Sequence, residues 1–130
     1  MVGLLDTSVV IDLDDVAMLE ALPDEVAICT ITLAELSAGP QLASTRSESA
    51  RRQVRLQQVE SNFEPIPFDK AAALSFGLVV AAVTQSGRTH RRRLTDLLIA
   101  ATAHAHGLVL YTRNQDDFAG IENLVEVVSI

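Results

Sequence analysis

No tryptophan, one tyrosine and four phenylalanines leave this 130-residue chain few aromatic faces. That argues against a base-stacking platform for single-stranded nucleic acid. One cysteine, Cys29, excludes an internal disulfide and a thiolate metal cage and points to a reducing cytoplasm. No apolar run reaches the roughly 20 residues that span a bilayer. Met1 to Asp6 lacks a basic stretch and meets an acid at once, so no secretory signal is expected. Basic residues are absent from residues 1–40, which hold eight acids. With a net charge of −7, bulk attraction to nucleic acid is excluded.

What is present is a globular composition, with 48% hydrophobic and 21% charged residues, enough for one domain over residues 1–130. The charge is unevenly spread. Residues 41–93 hold nine basic and four acidic side chains, and residues 94–130 hold one basic and five acidic ones. A basic middle is bracketed by acidic ends.

Short apolar runs alternate with longer helical stretches. Val2–Leu5, Val26–Ile31, Leu108–Thr112 and Leu124–Ile130 read as strands. Pro65-Ile66-Pro67 permits only a short edge strand. Helices are expected over Thr7–Leu22, over Thr32–Ala38 with a stop at Gly39-Pro40, and over Glu48–Phe63 after a loop at 40–47. Two more follow, Asp69–Ser86 and Thr95–His106, closed by Gly87 and Gly107. This alternation predicts an α/β fold, a three-layer α/β/α sandwich with a largely parallel sheet.

In such a fold helix N-termini and strand C-termini share one edge, where ligands bind. Asp6 follows the first strand. Glu35 falls early in the helix after the second. Asp96 opens the helix that leads into Leu108–Thr112, and Asn114, Asp116 and Asp117 follow that strand. Each has an ordinary explanation alone. Asp6 suits an N-cap, Thr32 and Glu35 a capping box, Asp96 a helix first turn, Asp116 and Asp117 a turn. Together they should repel, at about 4 kcal/mol per pair for a separation of ~4 Å and an effective dielectric near ~20. A bound cation removes that cost. Hard oxygens without thiolate suit Mg²⁺, with Mn²⁺ as substitute. The chemistry that follows is metal-assisted hydrolysis of a nucleic acid phosphodiester.

Four segments now carry a pattern: Leu4-Leu5-Asp6-Thr7-Ser8-Val9, Thr30-Ile31-Thr32-Leu33-Ala34-Glu35-Leu36, Asp96-Leu97-Leu98-Ile99-Ala100-Ala101-Thr102-Ala103, and Leu110 to Phe118. In this order and spacing the chain resembles the PIN-domain ribonucleases, specifically the VapC-type toxins of type II toxin–antitoxin pairs. The resemblance implies a Mg²⁺-dependent endoribonuclease with Asp6 and Asp96 as main metal ligands and Glu35 as third acid. Asn114 or Asp117 would complete the site, since many relatives carry an acid where this chain has Asn114. Thr7, Ser8 and Thr112 would orient the carboxylates by hydrogen bonds. It also implies a VapB-like antitoxin whose C-terminal segment lies over the acidic edge.

Arg88, Arg91, Arg92 and Arg93, with His90, form a basic loop before Asp96. It reads as a contact for RNA phosphates, as a dock for an acidic antitoxin tail, or as a solvated loop. Arg51, Arg52 and Arg55 read as a solvated helix face, with Glu48 pairing Arg52. His104 and His106 are two apart on a helix and point to different faces, which argues against a shared metal. The apolar helix Asp69–Ser86, with Leu74, Leu78, Val79 and Val83, suggests a homodimer surface. The alternative function is a catalytically weak PIN-like module that only binds partners. A receiver-type domain lacks its late lysine, since Lys70 is the only one, and Ser8 occupies the second acidic place of an Asp-x-Asp phosphatase.

Overall fold

The computed structural model describes residues 2–130; Met1, within the segment read for a secretory signal, lies outside the described residues. Four parallel strands form the sheet: β1 (Val2–Leu5), β2 (Glu25–Ala27), β3 (Val109–Thr112) and β4 (Val127–Ser129), in the order β2-β1-β3-β4. Leu4 pairs with Ala27 on one side and with Leu110 on the other. Alternation along β1 and β3 sends Leu4 and Leu110 into one core and Leu5 and Tyr111 into the opposite one. Both faces of the sheet are therefore covered, as parallel sheets require.

Helices α1 (Thr7–Val10), α2 (Val16–Leu19), α3 (Thr30–Leu42) and α4 (Arg46–Asn62) serve mainly the Leu5 core through Val9, Val10, Met18, Leu36, Leu56 and Val59. Helices α5 (Lys70–Gln85) and α6 (Leu94–His106) serve the Leu4 core through Val79, Val83, Leu97 and Ile99. Helix α6 is buried along most of its length and runs between α5 and the sheet. Gly107, at φ 64°, closes it in the left-handed conformation that glycine adopts without penalty.

Several expected boundaries change, among them that of the last strand, which begins at Val127 and not at Leu124. The helix over Thr7–Leu22 is broken at residues 11–15, between α1 and α2. Asp12, Asp14 and Asp15 crowd like charge there, and Asp15 starts a new helix by accepting from the Met18 amide at 3.2 Å. The second strand ends at Ala27; beyond it Cys29 makes a single parallel bridge to Ile66, and Thr30 and Ile31 are already helical. This leaves Cys29, and not Thr32, as the N-cap of α3, so the expected capping box does not form. Finally, α3 runs through Gly39-Pro40 to Leu42. Arg52 Nη1 and Ser49 Oγ of α4 donate to the Gly39 and Pro40 carbonyls, both at 2.9 Å, and so satisfy the last turn of α3. The loop expected at 40–47 shrinks accordingly.

Candidate active site

The C-terminal ends of β1 and β3 lie side by side, and each is followed at once by polar residues. Asp6 caps α1, accepting from the Val9 amide at 3.1 Å through Oδ1. Two hydroxyls complete its environment. Ser8 Oγ donates to Oδ1 and Thr112 Oγ1 to Oδ2, each at 2.6 Å. Thr112 in turn accepts from the Asn114 amide at 3.0 Å. Asp6 is only 2% exposed, and burial pushes its carboxyl pKa up against the pull of these donors.

Glu35 lies one turn deeper in α3 than expected, because the helix starts at Thr30. Thr7 Oγ1 donates to its Oε1 at 2.6 Å, which ties α3 to the start of α1. Asp96 occupies the first turn of α6. Its carboxyl is raised to about 7, first by burial and then by the negative charges of Asp117, Glu35 and Asp6. Four acids from residues 6, 35, 96 and 117 thus share one electrostatic environment at the strand-end edge. Asn114 caps the 3-10 turn Gln115–Phe118 with its carbonyl, which accepts from the Asp117 amide at 3.1 Å. Of the two, Asp117 is the one whose charge acts on Asp96.

The donor set is hard oxygen throughout, the ligand type of Mg²⁺ or Mn²⁺. Among the described residues, no three Asp, Glu, His or Cys side chains come close enough to cage an ion unaided. Mg²⁺ needs no such cage, since it keeps several waters and takes one or two protein carboxylates directly. The mutually repelling acids, with Asp6 buried and Glu35, Asp96 and Asp117 half-buried, fit such an ion in charge and ligand type.

The basic loop divides. Arg88, Arg91 and Arg92 are exposed, whereas Arg93 is half-buried and turned inwards. Its Nη1 donates to the carbonyls of Asp116 and Asp117 at 3.0 and 2.8 Å. Arg51, Arg52 and Arg55 are not simply a solvated face. They line a cleft of about 750 Å³ that reaches Thr7 and Glu35. Arg55 pairs with Asp14 at 2.7 Å, and Glu48 pairs with both Arg51 and Arg52. His104 and His106 have separate partners. His104 Nδ1 lies 2.8 Å from Ser75 Oγ, and His106 Nε2 3.7 Å from Asp69.

Arg113 was not singled out by sequence reasoning. Its amide donates to Ser8 Oγ at 3.0 Å, and its guanidinium reaches Asp12 at 3.5 Å and Asp15 at 3.1 Å. This bridge holds the α1–α2 turn beside the site and lowers the Asp15 carboxyl pKa, chiefly through its hydrogen bond. The available signal was its position as the one basic residue after Arg93.

A parallel α/β sheet with acids gathered at the ends of its two central strands defines the class to which comparison now gives a family. Residues 3–124 match the PIN domain family. Ribonuclease VapC5 of Mycobacterium tuberculosis is 37% identical over 127 residues, covering 96% of this chain and 91% of that protein. A chain in the crystal structure of VapBC-5, a member of the VapBC family of toxin-antitoxin systems from Mycobacterium tuberculosis, superposes with a TM-score of 0.84 at 37% identity, covering 99% and 98% of the two chains. A chain in the structure of FitAcB from Neisseria gonorrhoeae gives 0.80 at 28% identity, covering 99% and 97%. The chain belongs to the PIN-domain family and, within it, to the VapC-type ribonucleases. Ribonucleases of this family are metal-dependent.

Proposed function

We propose that this chain is the endoribonuclease toxin of a VapBC-type pair, hydrolysing RNA phosphodiester bonds with Mg²⁺. The observation that carries the reading is Asp96, half-buried with three further acids acting on it. Uncompensated, such a cluster is costly. With a divalent ion it becomes a ligand set.

Asp6 and Asp96 are assigned as main ligands and Glu35 as the third acid. Asp117 takes the fourth position in preference to Asn114, because it bears a charge and is coupled to Asp96. Bound there, Mg²⁺ supplies Lewis acidity to a phosphodiester oxygen and lowers the pKa of a water nucleophile. Ser8 and Thr112 hold both oxygens of Asp6 in one orientation, and Thr7 does the same for Glu35. Arg88, Arg91 and Arg92 offer exposed positive charge for RNA phosphates beside an otherwise acidic edge.

A VapB-like antitoxin is the assigned protein partner, since similar solved structures are of VapBC assemblies. A second copy of the chain is assigned to the α5 face bearing Leu74 and Leu78, exposed at 68% and 53%. Leu78→Glu should then shift the mass in solution to that of a monomer. The single, buried, free Cys29 agrees with a reducing cytoplasm.

The direct test incubates purified chain and Asp6→Asn with structured RNA and Mg²⁺. Cleavage by wild type alone supports the nuclease. Equal cleavage by both, or by neither while antitoxin still binds, leaves only a partner-binding module.

A further inference from the structure

Arg93 stands apart from the other arginines of its loop. It is the N-cap residue of α6, three positions before Asp96, with a non-helical backbone (φ −128°, ψ 33°). Its Nη1 donates to the carbonyls of Asp116 and Asp117 and, at 3.4 Å, to that of Ala119. Nη2 also reaches the Ala119 carbonyl at 3.4 Å. Three carbonyls of one turn therefore converge on one guanidinium. That turn carries Asp117, and its far end is fixed by Phe118, buried in the Leu4 core.

Two like charges ride on two separate elements, Asp96 on α6 and Asp117 on the 3-10 turn, and they act on one another. Phe118 anchors the turn, and the Asp116 carbonyl also accepts from the Ala119 amide at 3.2 Å, so Arg93 adds the hold on the carbonyls of Asp117 and Ala119. A guanidinium fits this task. It is always charged, its planar fork serves several acceptors at once, and its charge opposes the repulsion between the acids. A phosphate-binding role would require this fork to leave the carbonyls.

We propose that Arg93 is a positioning residue that clamps the Gln115–Phe118 turn to the start of α6 and so sets Asp117 beside Asp96 for metal binding. The assignment of those acids as ligands rests on the function proposed above; the clamp itself does not.

The test compares Arg93→Ala and Arg93→Lys with wild type in three measurements. Amide hydrogen exchange of the metal-free proteins reads the turn. Calorimetric titration with Mn²⁺ reads the site without RNA. Cleavage at varied RNA and Mg²⁺ separates KM from the metal requirement. In Arg93→Ala, amides at 115–119 should exchange faster while those of β1 and β3 keep their protection. Mn²⁺ affinity should fall about ten- to a hundredfold, as for other residues that orient ligands. KM for RNA at saturating metal should stay as in wild type. Arg93→Lys should recover part of both losses, since it restores charge without the fork, and it serves if the alanine variant does not fold. Wild-type protection at 115–119, or unchanged Mn²⁺ affinity, overturns the proposal. A raised KM with unchanged Mn²⁺ affinity overturns it in favour of a phosphate contact. Should wild type bind no Mn²⁺, the ligand assignment fails, and exchange at 115–119 alone decides the clamp.

Discussion

Thr112 donates its hydroxyl to Asp6 Oδ2 at 2.6 Å, joining residues 106 positions apart in the chain. Both are buried, and the bond spans the ends of the two central strands. Thr112→Val keeps the shape and removes the donor. It should lower stability by about 1–3 kcal/mol, the cost of leaving a buried acceptor unpaired. Thr112→Ser should lose less. Chemical denaturation of the three proteins measures both, and equal midpoints would contradict the bond.

Asp96→Asn should abolish RNA cleavage yet raise the melting temperature of the metal-free protein. The amide removes a charge that burial, Asp117, Glu35 and Asp6 all disfavour. Calorimetry in EDTA checks the second effect. A clear fall in melting temperature would count against repulsion among these acids.

The same carboxyl sets a pH dependence. Its folded pKa of about 7 lies above the ordinary 3.8, so between these values the folded state binds the extra proton. Stability of the metal-free protein should therefore fall as pH rises from about 4 to 7. Asp6, also raised, acts in the same direction. After allowance for solvent screening, the Asp96 contribution is on the order of 1–2 kcal/mol. Denaturation at pH 5 and pH 8 in EDTA measures it, and Asp96→Asn should flatten the difference.

Mg²⁺ should reverse that trend. Binding to the folded state alone stabilises by about 2.7 kcal/mol at a hundredfold excess over Kd. Since the ion competes with protons for the carboxylates, its stabilisation should be greater at pH 8 than at pH 6. Melting curves across Mg²⁺ concentrations at both pH values test this. Curves that coincide at all concentrations would exclude an ion at the acidic edge.

Gly3 marks a close approach within the sheet. A Cβ there would lie 2.6 Å from the Tyr111 ring and 2.9 Å from Pro23. Gly3→Ala should destabilise by about 1–3 kcal/mol through overpacking, measured by denaturant midpoint. An unchanged midpoint would mean that Tyr111 moves aside freely.

Much of this was legible in the order of residues. Strands followed by helices imply parallel pairing, and parallel pairing sends Asp6, Glu35, Asp96 and Asp117 to one edge whatever the details. Helices α5 and α6 were readable to within a residue or so, because Asp69 caps the first and Gly87 and Gly107 end the two. These are local signals, and local chemistry decided them.

Other features depend on partners distant in the chain. Nothing near Pro40 indicates that α3 passes through it to Leu42, because the donors that hold its last carbonyls, Ser49 and Arg52, come from the next helix. The inward turn of Arg93 exists only because Asp116, Asp117 and Ala119 fold back to offer their carbonyls. The charge of Asp117 acts on a carboxyl 21 positions earlier, a coupling that chain order does not display. Sequence determined which elements form and which edge collects the acids, since periodicity and capping act over a few residues. Tertiary structure decided which side chains meet there, since hydrogen bonds and Coulomb forces act over ångströms of space and not along the chain.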